Sequence, residues 1–211
     1  MNKVLALFPL ELVVFPGEQL KLHVFEPRYK QLINECRDRH IPFGIPAFIE
    51  GKVAEYGTEM IVAEVFRVYE TGEMDIRAQG IGVFHLLKIV RDVPDRLYTA
   101  GEVVSVENDP EAYAVTRDEL ARQYKRFHEI LGSDYEREDF DRENLSFEIG
   151  QEVGFTLAEK IRLLSIHKES ERQVMIIDHL QRVIPMLEAA EQTRKRVRGN
   201  GHFQKTPQID F

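Results

Sequence analysis

Two apolar runs separated by a Pro-Gly pair, the second leading directly into a helix start, constrain this chain more than any other feature. Residues 7–10 read Leu-Phe-Pro-Leu, residues 13–17 Val-Val-Phe-Pro-Gly, and residues 20–29 Leu-Lys-Leu-His-Val-Phe-Glu-Pro-Arg-Tyr. Proline presets φ for a turn, and glycine accepts the positive φ that turns require. Leu20, Leu22 and Val24 alternate with Lys21 and His23, the period of a half-buried strand. Pro27 suits a first helical position, where its missing N–H costs nothing. The segment therefore predicts strand, turn, strand, helix. Tyr29, Leu32, Ile33 and Cys36 fall at i, i+3, i+4 and i+7, which makes one apolar stripe along that helix.

Strand signals continue to about residue 110. Val4–Phe8, Leu20–Phe25 and Phe43–Ile49 are predicted first. Met60–Tyr69 and Met74–Gln79 form a predicted hairpin, with Gly72 turning the chain before the second strand and Gly80 after it. Ile81–Val90 and Tyr98–Val106 complete the series, and short strands with Gly and Pro punctuation predict a small barrel or pseudobarrel. Beyond about 110 the period becomes helical. Thr116–Glu119, Thr156–Glu159 and Ser170–Gln173 match the capping-box pattern and predict three helix starts, with a further short helix from Ser146 to near Gly154. Val174, Ile177, Leu180, Ile184 and Leu187 are the expected stripe of a long final helix. Residues 133–144 are acid-rich and predict a solvated linker. The expected class is α+β: a β-subdomain over 1–110, a helical bundle over 111–198, and a tail without periodicity over 199–211.

Composition narrows the function. The net charge of −8 argues against nucleic acid as a partner, because phosphate binding needs a dominant basic surface. One cysteine, Cys36, excludes an internal disulfide and a thiolate zinc cluster. The N-terminus does not read as a secretory leader, and no stretch approaches the ~20 apolar residues that span a bilayer. A cytoplasmic location is the expectation.

The opening residues, with Phe8-Pro9-Leu10, Val13–Gly17 and Val24–Tyr29 in order, resemble the start of the Lon protease N-terminal domain family. Gly57-Thr58, Gly80 with Phe84, and Tyr98 continue the resemblance, which extends over about residues 1–195. It implies a PUA-like β-pseudobarrel followed by a helical bundle, and a role in capturing unfolded or degron-bearing polypeptides. The Lon ATPase would require a G-x-x-x-x-G-K-[ST] loop. The nearest approach, Pro46–Val53, has Pro where the first Gly belongs and Val in place of the hydroxyl. A length of 211 residues leaves no room for the family's Ser-Lys protease domain. The expectation is thus a non-enzymatic module without cofactor or metal, acting as an adaptor or regulator, with a Lon-type protease as a candidate partner. The alternative is a PUA-like module that binds RNA or a small ligand. The long final helix is a candidate homodimer surface.

The candidate site residues are those of the family motif: Phe15, Pro16, Gly17, His23, Glu26, Arg28 and Tyr29. Each has a structural and a contact reading. Phe15 is either core or an apolar contact for an extended peptide, with Gly17 supplying a positive-φ turn. His23 is either a hydrogen-bonded strand residue or a group titrating near neutrality. Glu26 and Arg28 either serve the helix start, with Arg28 tying the helix to the barrel, or form a binding pair. The cluster Arg194, Lys195, Arg196 and Arg198 reads as cations complementing the carbonyl end of the last helix.

Overall fold

The computed structural model describes residues 2–133, 139–140 and 142–200. Its elements, in order, are β1 (Asn2–Ala6), β2 (Gln19–Val24), α1 (Pro27–Arg39), β3 (Phe43–Ile49), β4 (Lys52–Val68), β5 (Met74–Val90), β6 (Ala100–Val106), α2 (Ala114–Leu131), α3 (Leu145–Glu152), α4 (Leu157–Ser165) and α5 (Glu169–Asn200). The class is α+β.

The six strands form one antiparallel sheet in the order β1-β6-β5-β4-β3. β5 is long enough to hold two neighbours on one side. Its first half pairs with β2, from Val24↔Met74 to Gln19↔Gln79, and its second half with β6. Leu7 and Leu10, just after β1, bridge in parallel to Gly44 and Ala47 of β3, which brings the two ends of the sheet together. Rolling the sheet in this way satisfies backbone groups that an open edge would expose.

The 60–79 hairpin forms, but Gly80 does not turn the chain. It lies inside β5, and the predicted strand at Ile81–Val90 is the same strand continued. The reason is close approach. A Cβ at Gly80 would lie 2.5 Å from the Phe15 carbonyl oxygen. The Gly80 backbone also exchanges hydrogen bonds of 2.9 Å with Gly17 and Glu18. Glycine is needed there for the loop against the strand, not for a bend.

Helix α1 buries its predicted stripe of Tyr29, Leu32, Ile33 and Cys36 against Met60, Met74, Ile76 and Ala78 of the sheet. Burial, reinforced by the nearby Glu35 carboxylate, pushes the Cys36 thiol up to about 12. The thiolate is the reactive species. A thiol reagent at about pH 8 is therefore expected to modify Cys36 only at the rate at which the protein opens, with a large acceleration across the urea transition. The folded value lies above the ordinary 9.0, so this group's contribution to stability is complete below that pH and is lost as pH rises toward 12. Fast labelling of the folded protein, at the rate of a free thiol, would contradict the burial.

Two of the three predicted capping boxes are not helix starts. Helix α2 begins at Ala114, so Thr116 lies within it, and Glu119 bonds Arg122 and Gln123 one turn on. Helix α5 begins at Glu169, whose N–H donates to Asp109 O (2.8 Å). The Ser170 N–H donates to Glu111 O (3.1 Å), so carbonyls from the chain before α2 cap the helix. The Thr156 box forms as expected. Thr156 Oγ1 accepts from the Glu159 N–H, and the Glu159 carboxylate accepts from the Thr156 N–H. The Thr156 N–H donated to the carboxylate is the leading reason the Glu159 carboxyl is held below its ordinary value. In α5, Val174 faces solvent, and Ile176 takes its place in the core beside Ile177, Leu180 and Ile184. The helix runs on through Pro185 to Asn200. The remaining tail, 201–211, and part of the acid-rich linker fall outside the described residues.

Candidate functional site

The sheet and the bundle share one apolar core. Val13, Phe15, Ala47 and Val83 from the sheet side join Leu120, Tyr124, Phe147, Leu163, Ile176 and Leu180 from the helices. Phe15 is the largest contribution from the sheet side. It is 0% exposed, and its ring stacks on Phe147 of α3 at 5.4 Å between centroids. The loop carrying it is fixed by a hydrogen bond from buried Thr58 Oγ1 to the Val14 carbonyl, and by the Phe15 N–H donating to Glu18 Oε2 at 2.9 Å. Gly17 turns the chain there with φ 87°.

Where this junction reaches the surface it opens into a cleft of about 250 Å3. Pro16, Ile81, Gly82, Val83 and Val106 form the sheet wall, and Phe147, Leu164 and Ile166 the helical wall. Asn108, Asn144 and His167 are among its polar residues. Ile81 is 50% exposed, whereas Val83, Phe147 and Leu164 are buried at the base. A Cβ at Gly82 would meet no atom within 4 Å, so the backbone leaves open space there. An apolar floor with a few polar rim groups is the usual form of a binding cleft. A larger depression between α4 and α5 is lined mainly by charged and polar side chains such as Glu159, Arg162, Glu171 and Asp178.

Arg172 lies behind the cleft and fixes its shape. Both Arg172 and Glu169 are 1% exposed. All five guanidinium N–H groups are used. Nε donates to Ser146 Oγ (2.7 Å), Nη1 to the carbonyls of Ile166 (2.8 Å) and His167 (2.9 Å), and Nη2 to Asn108 Oδ1 (2.6 Å) and Glu169 Oε2 (2.8 Å). Glu169 also accepts from the Ser146 N–H (3.0 Å), Ser146 Oγ (2.6 Å) and Gln173 Nε2 (3.0 Å). It thereby caps α3 from another helix, since Asn144, at the N-cap position, makes no side-chain cap. Burial pulls the Arg172 guanidinium down from its ordinary value, and Glu169 opposes that shift. With every donor committed, Arg172 is a structural clamp.

The motif residues do not gather at one place. Phe15 is core, while Pro16 lines the cleft. His23 lies on the exposed face of β2, with Nδ1 2.7 Å from Asp75 Oδ1 across the strand pair and Nε2 3.7 Å from Glu73. The hydrogen bonds from His23 and then Tyr69 hold the Asp75 carboxyl below its ordinary value. Glu26 occupies the N-cap position of α1 without a side-chain cap and accepts from Arg28 Nε at 2.9 Å. Arg28 lies over the Tyr29 ring, and Tyr29 stacks on Phe8 at 3.8 Å. The ties from α1 to neighbouring loops come instead from Lys30 to Thr71 O, Gln31 to Asp95 O, and Glu35 to the Tyr98 hydroxyl and Arg96.

Sequence reading missed the cleft because its walls come from five separated segments. One signal was available: Gly80 and Gly82 flank an exposed Ile81 inside an apolar strand, a pattern that marks close backbone approach. The fold also brings Ser133, His128 and Glu152 together, with His128 Nδ1 2.7 Å from Ser133 Oγ. The far nitrogen of His128 is 3.8 Å from Glu152, beyond hydrogen-bond reach, and Glu152 accepts from the Tyr124 hydroxyl. Ser133 closes the end of α2, where its N–H donates to the His128 carbonyl. This geometry caps a helix and does not present an activated nucleophile.

Comparison with known proteins agrees with the geometry. The family model described as the ATP-dependent protease La (LON) substrate-binding domain matches residues 4–182. The chain belongs to that family. A crystal structure of a Lon N-terminal domain protein from Xanthomonas campestris superposes with a TM-score of 0.68 at 24% identity, covering 83% of this chain and 98% of that one. The N-terminal domain of Mycobacterium avium complex Lon protease superposes with a TM-score of 0.65 at 18% identity, covering 85% and 98%. At these identities the superpositions establish the shared fold. No curated protein matches the sequence. Among the described residues, no helix is long and apolar enough to cross a membrane.

Proposed function

We propose that this chain is a non-catalytic polypeptide-binding module that takes apolar segments of unfolded or degron-bearing proteins into the cleft between its β-subdomain (1–110) and its helical bundle (111–198). The observation that carries this reading is the cleft itself. It has an apolar floor at the meeting of the two parts and an open position at Gly82, in a chain of a substrate-binding family. A cleft of about 250 Å3 accommodates one or two apolar side chains of an extended segment. Burial of so little surface gives weak binding with broad sequence tolerance. The module then serves proteolysis in the cytoplasm as an adaptor or regulator.

Fluorescent reduced casein and a structured RNA, titrated in parallel at about 150 mM salt, test this reading. Casein is expected to bind in the micromolar range and RNA not to bind, because a net charge of −8 repels a phosphate backbone. Gly82→Phe adds a ring to the cleft lining at a position where a Cβ meets no atom within 4 Å, and Ile81→Asp puts charge at its exposed lip. Both are expected to leave the melting temperature within about 2 °C of wild type and to weaken casein binding at least about tenfold, near 1.4 kcal/mol. Unchanged casein affinity in both variants would place binding elsewhere. RNA binding without casein binding would replace the proposal with a nucleic-acid role.

A further inference from the structure

The cleft does not end at its apolar floor. Pro16 and Asn144 line both it and an adjoining trough of about 500 Å3. Glu18, Glu143, Glu148 and Glu152 line the trough, and no cationic side chain is among its described lining residues. Among the described residues, two cations and one histidine lie close to three of these four carboxylates. Arg142 lies 3.6 Å from Glu148, His128 lies 3.8 Å from Glu152, and Lys160 acts on Glu18 through space. Glu18 also accepts the Phe15 N–H, which fixes its carboxylate where the turn meets the trough.

We propose that the groove discriminates among polypeptides, preferring segments in which the apolar residue seated in the cleft is flanked by lysine or arginine that enters the acidic trough. This rests on the polypeptide-binding reading above and adds a substrate class to it. The occupant follows from charge complementarity. An extended chain advances about 3.3 Å per residue, so a residue close to the anchor reaches a trough that shares a wall with the cleft. A long Lys or Arg stem can lie along Pro16 while its charged head meets the carboxylates. Burial raises the carboxyl of Glu18, the sign of an anion short of solvation, and an incoming cation supplies part of what is missing.

The test uses three fluorescent peptides with the same Leu-Phe anchor in a Gly/Ser background, flanked by Lys, Ser or Glu, against the full chain. The Lys-flanked peptide is expected to bind at least about fivefold more tightly than the Ser-flanked one at about 50 mM salt. The advantage should shrink at about 500 mM, as screening of a partly exposed site requires. The double variant Glu143→Gln, Glu148→Gln is expected to remove the Lys preference and leave binding of the Ser-flanked peptide unchanged. Equal binding of all three peptides overturns this inference and leaves the polypeptide-binding reading in place. Failure of all three to bind overturns the reading beneath it. Tightest binding of the Glu-flanked peptide reverses the sign of the proposal. A Lys preference that survives in the double variant removes the trough as its source.

Discussion

Arg172→Met is expected to destabilise the fold by about 3–5 kcal/mol, the usual effect of removing one partner from a buried ion pair. Methionine fills much of the same volume, so the loss is electrostatic rather than a cavity. It leaves the Glu169 carboxylate, 1% exposed, without its cation. It also strips partners from the carbonyls of Ile166 and His167, from Asn108 and from Ser146. These groups come from the segment just after β6, from α3 and from the α4–α5 link, so one side chain of α5 holds three other parts of the molecule in register. The effect is read from the urea midpoint, with the slope checked for two-state behaviour. Arg172→Lys is expected to recover little, because an ammonium cannot replace a planar fork with five donors. Adding Glu169→Gln to Arg172→Met is expected to restore part of the loss by removing the stranded charge. A loss below about 1 kcal/mol for Arg172→Met would show that water or relaxation satisfies the site, and that the clamp is not what shapes the cleft.

This clamp marks the limit of what the chain discloses when read as a string. The α1 stripe, the 60–79 hairpin and the Thr156 capping box were legible because each depends on residues within a turn or a hairpin of one another. Glu169 and Arg172 look in sequence like an ordinary i,i+3 surface pair on a helix. Their burial depends on Ser146, 26 residues from Arg172, and on Asn108, 64 residues away. The misread capping box at Ser170 has the same origin. Thr116 and Ser170 match the local pattern, but the folded chain offers Tyr113 as the start of α2 and the carbonyls of Asp109 and Glu111 as the cap of α5. At α5 carbonyls from a distant segment supplied better partners than the local ones. Gly80 was misread for a related reason, since a glycine that admits a crossing loop looks the same in sequence as one that turns the chain. The cleft was hidden most deeply. The residues that build it are unremarkable apolar positions until the sheet and the bundle meet.

Phe15→Ala decides between the two roles open to the most conspicuous residue of the opening motif. It is expected to destabilise the protein by about 3–5 kcal/mol, as for other buried Phe→Ala changes. For a chain of this length that is a fall in melting temperature on the order of 6–20 °C. The ring is wholly buried and stacks on Phe147, and a Cβ built at Gly150 would sit 3.6 Å from its edge. No backbone shift closes the resulting cavity easily. The loop is held on one side by Thr58 and on the other by its hydrogen bonds to Gly80. Because the ring joins the sheet to the bundle, its loss is also expected to loosen the wall that Pro16 and Phe147 give the cleft, and so to weaken polypeptide binding. Phe15→Leu keeps the residue apolar and most of its volume, and is expected to recover most of both effects. A peptide-contact residue would behave in the opposite way. Phe15→Ala would then keep the melting temperature within about 2 °C of wild type and lose only binding, an outcome that would place the ring at the surface and overturn the shared core described above.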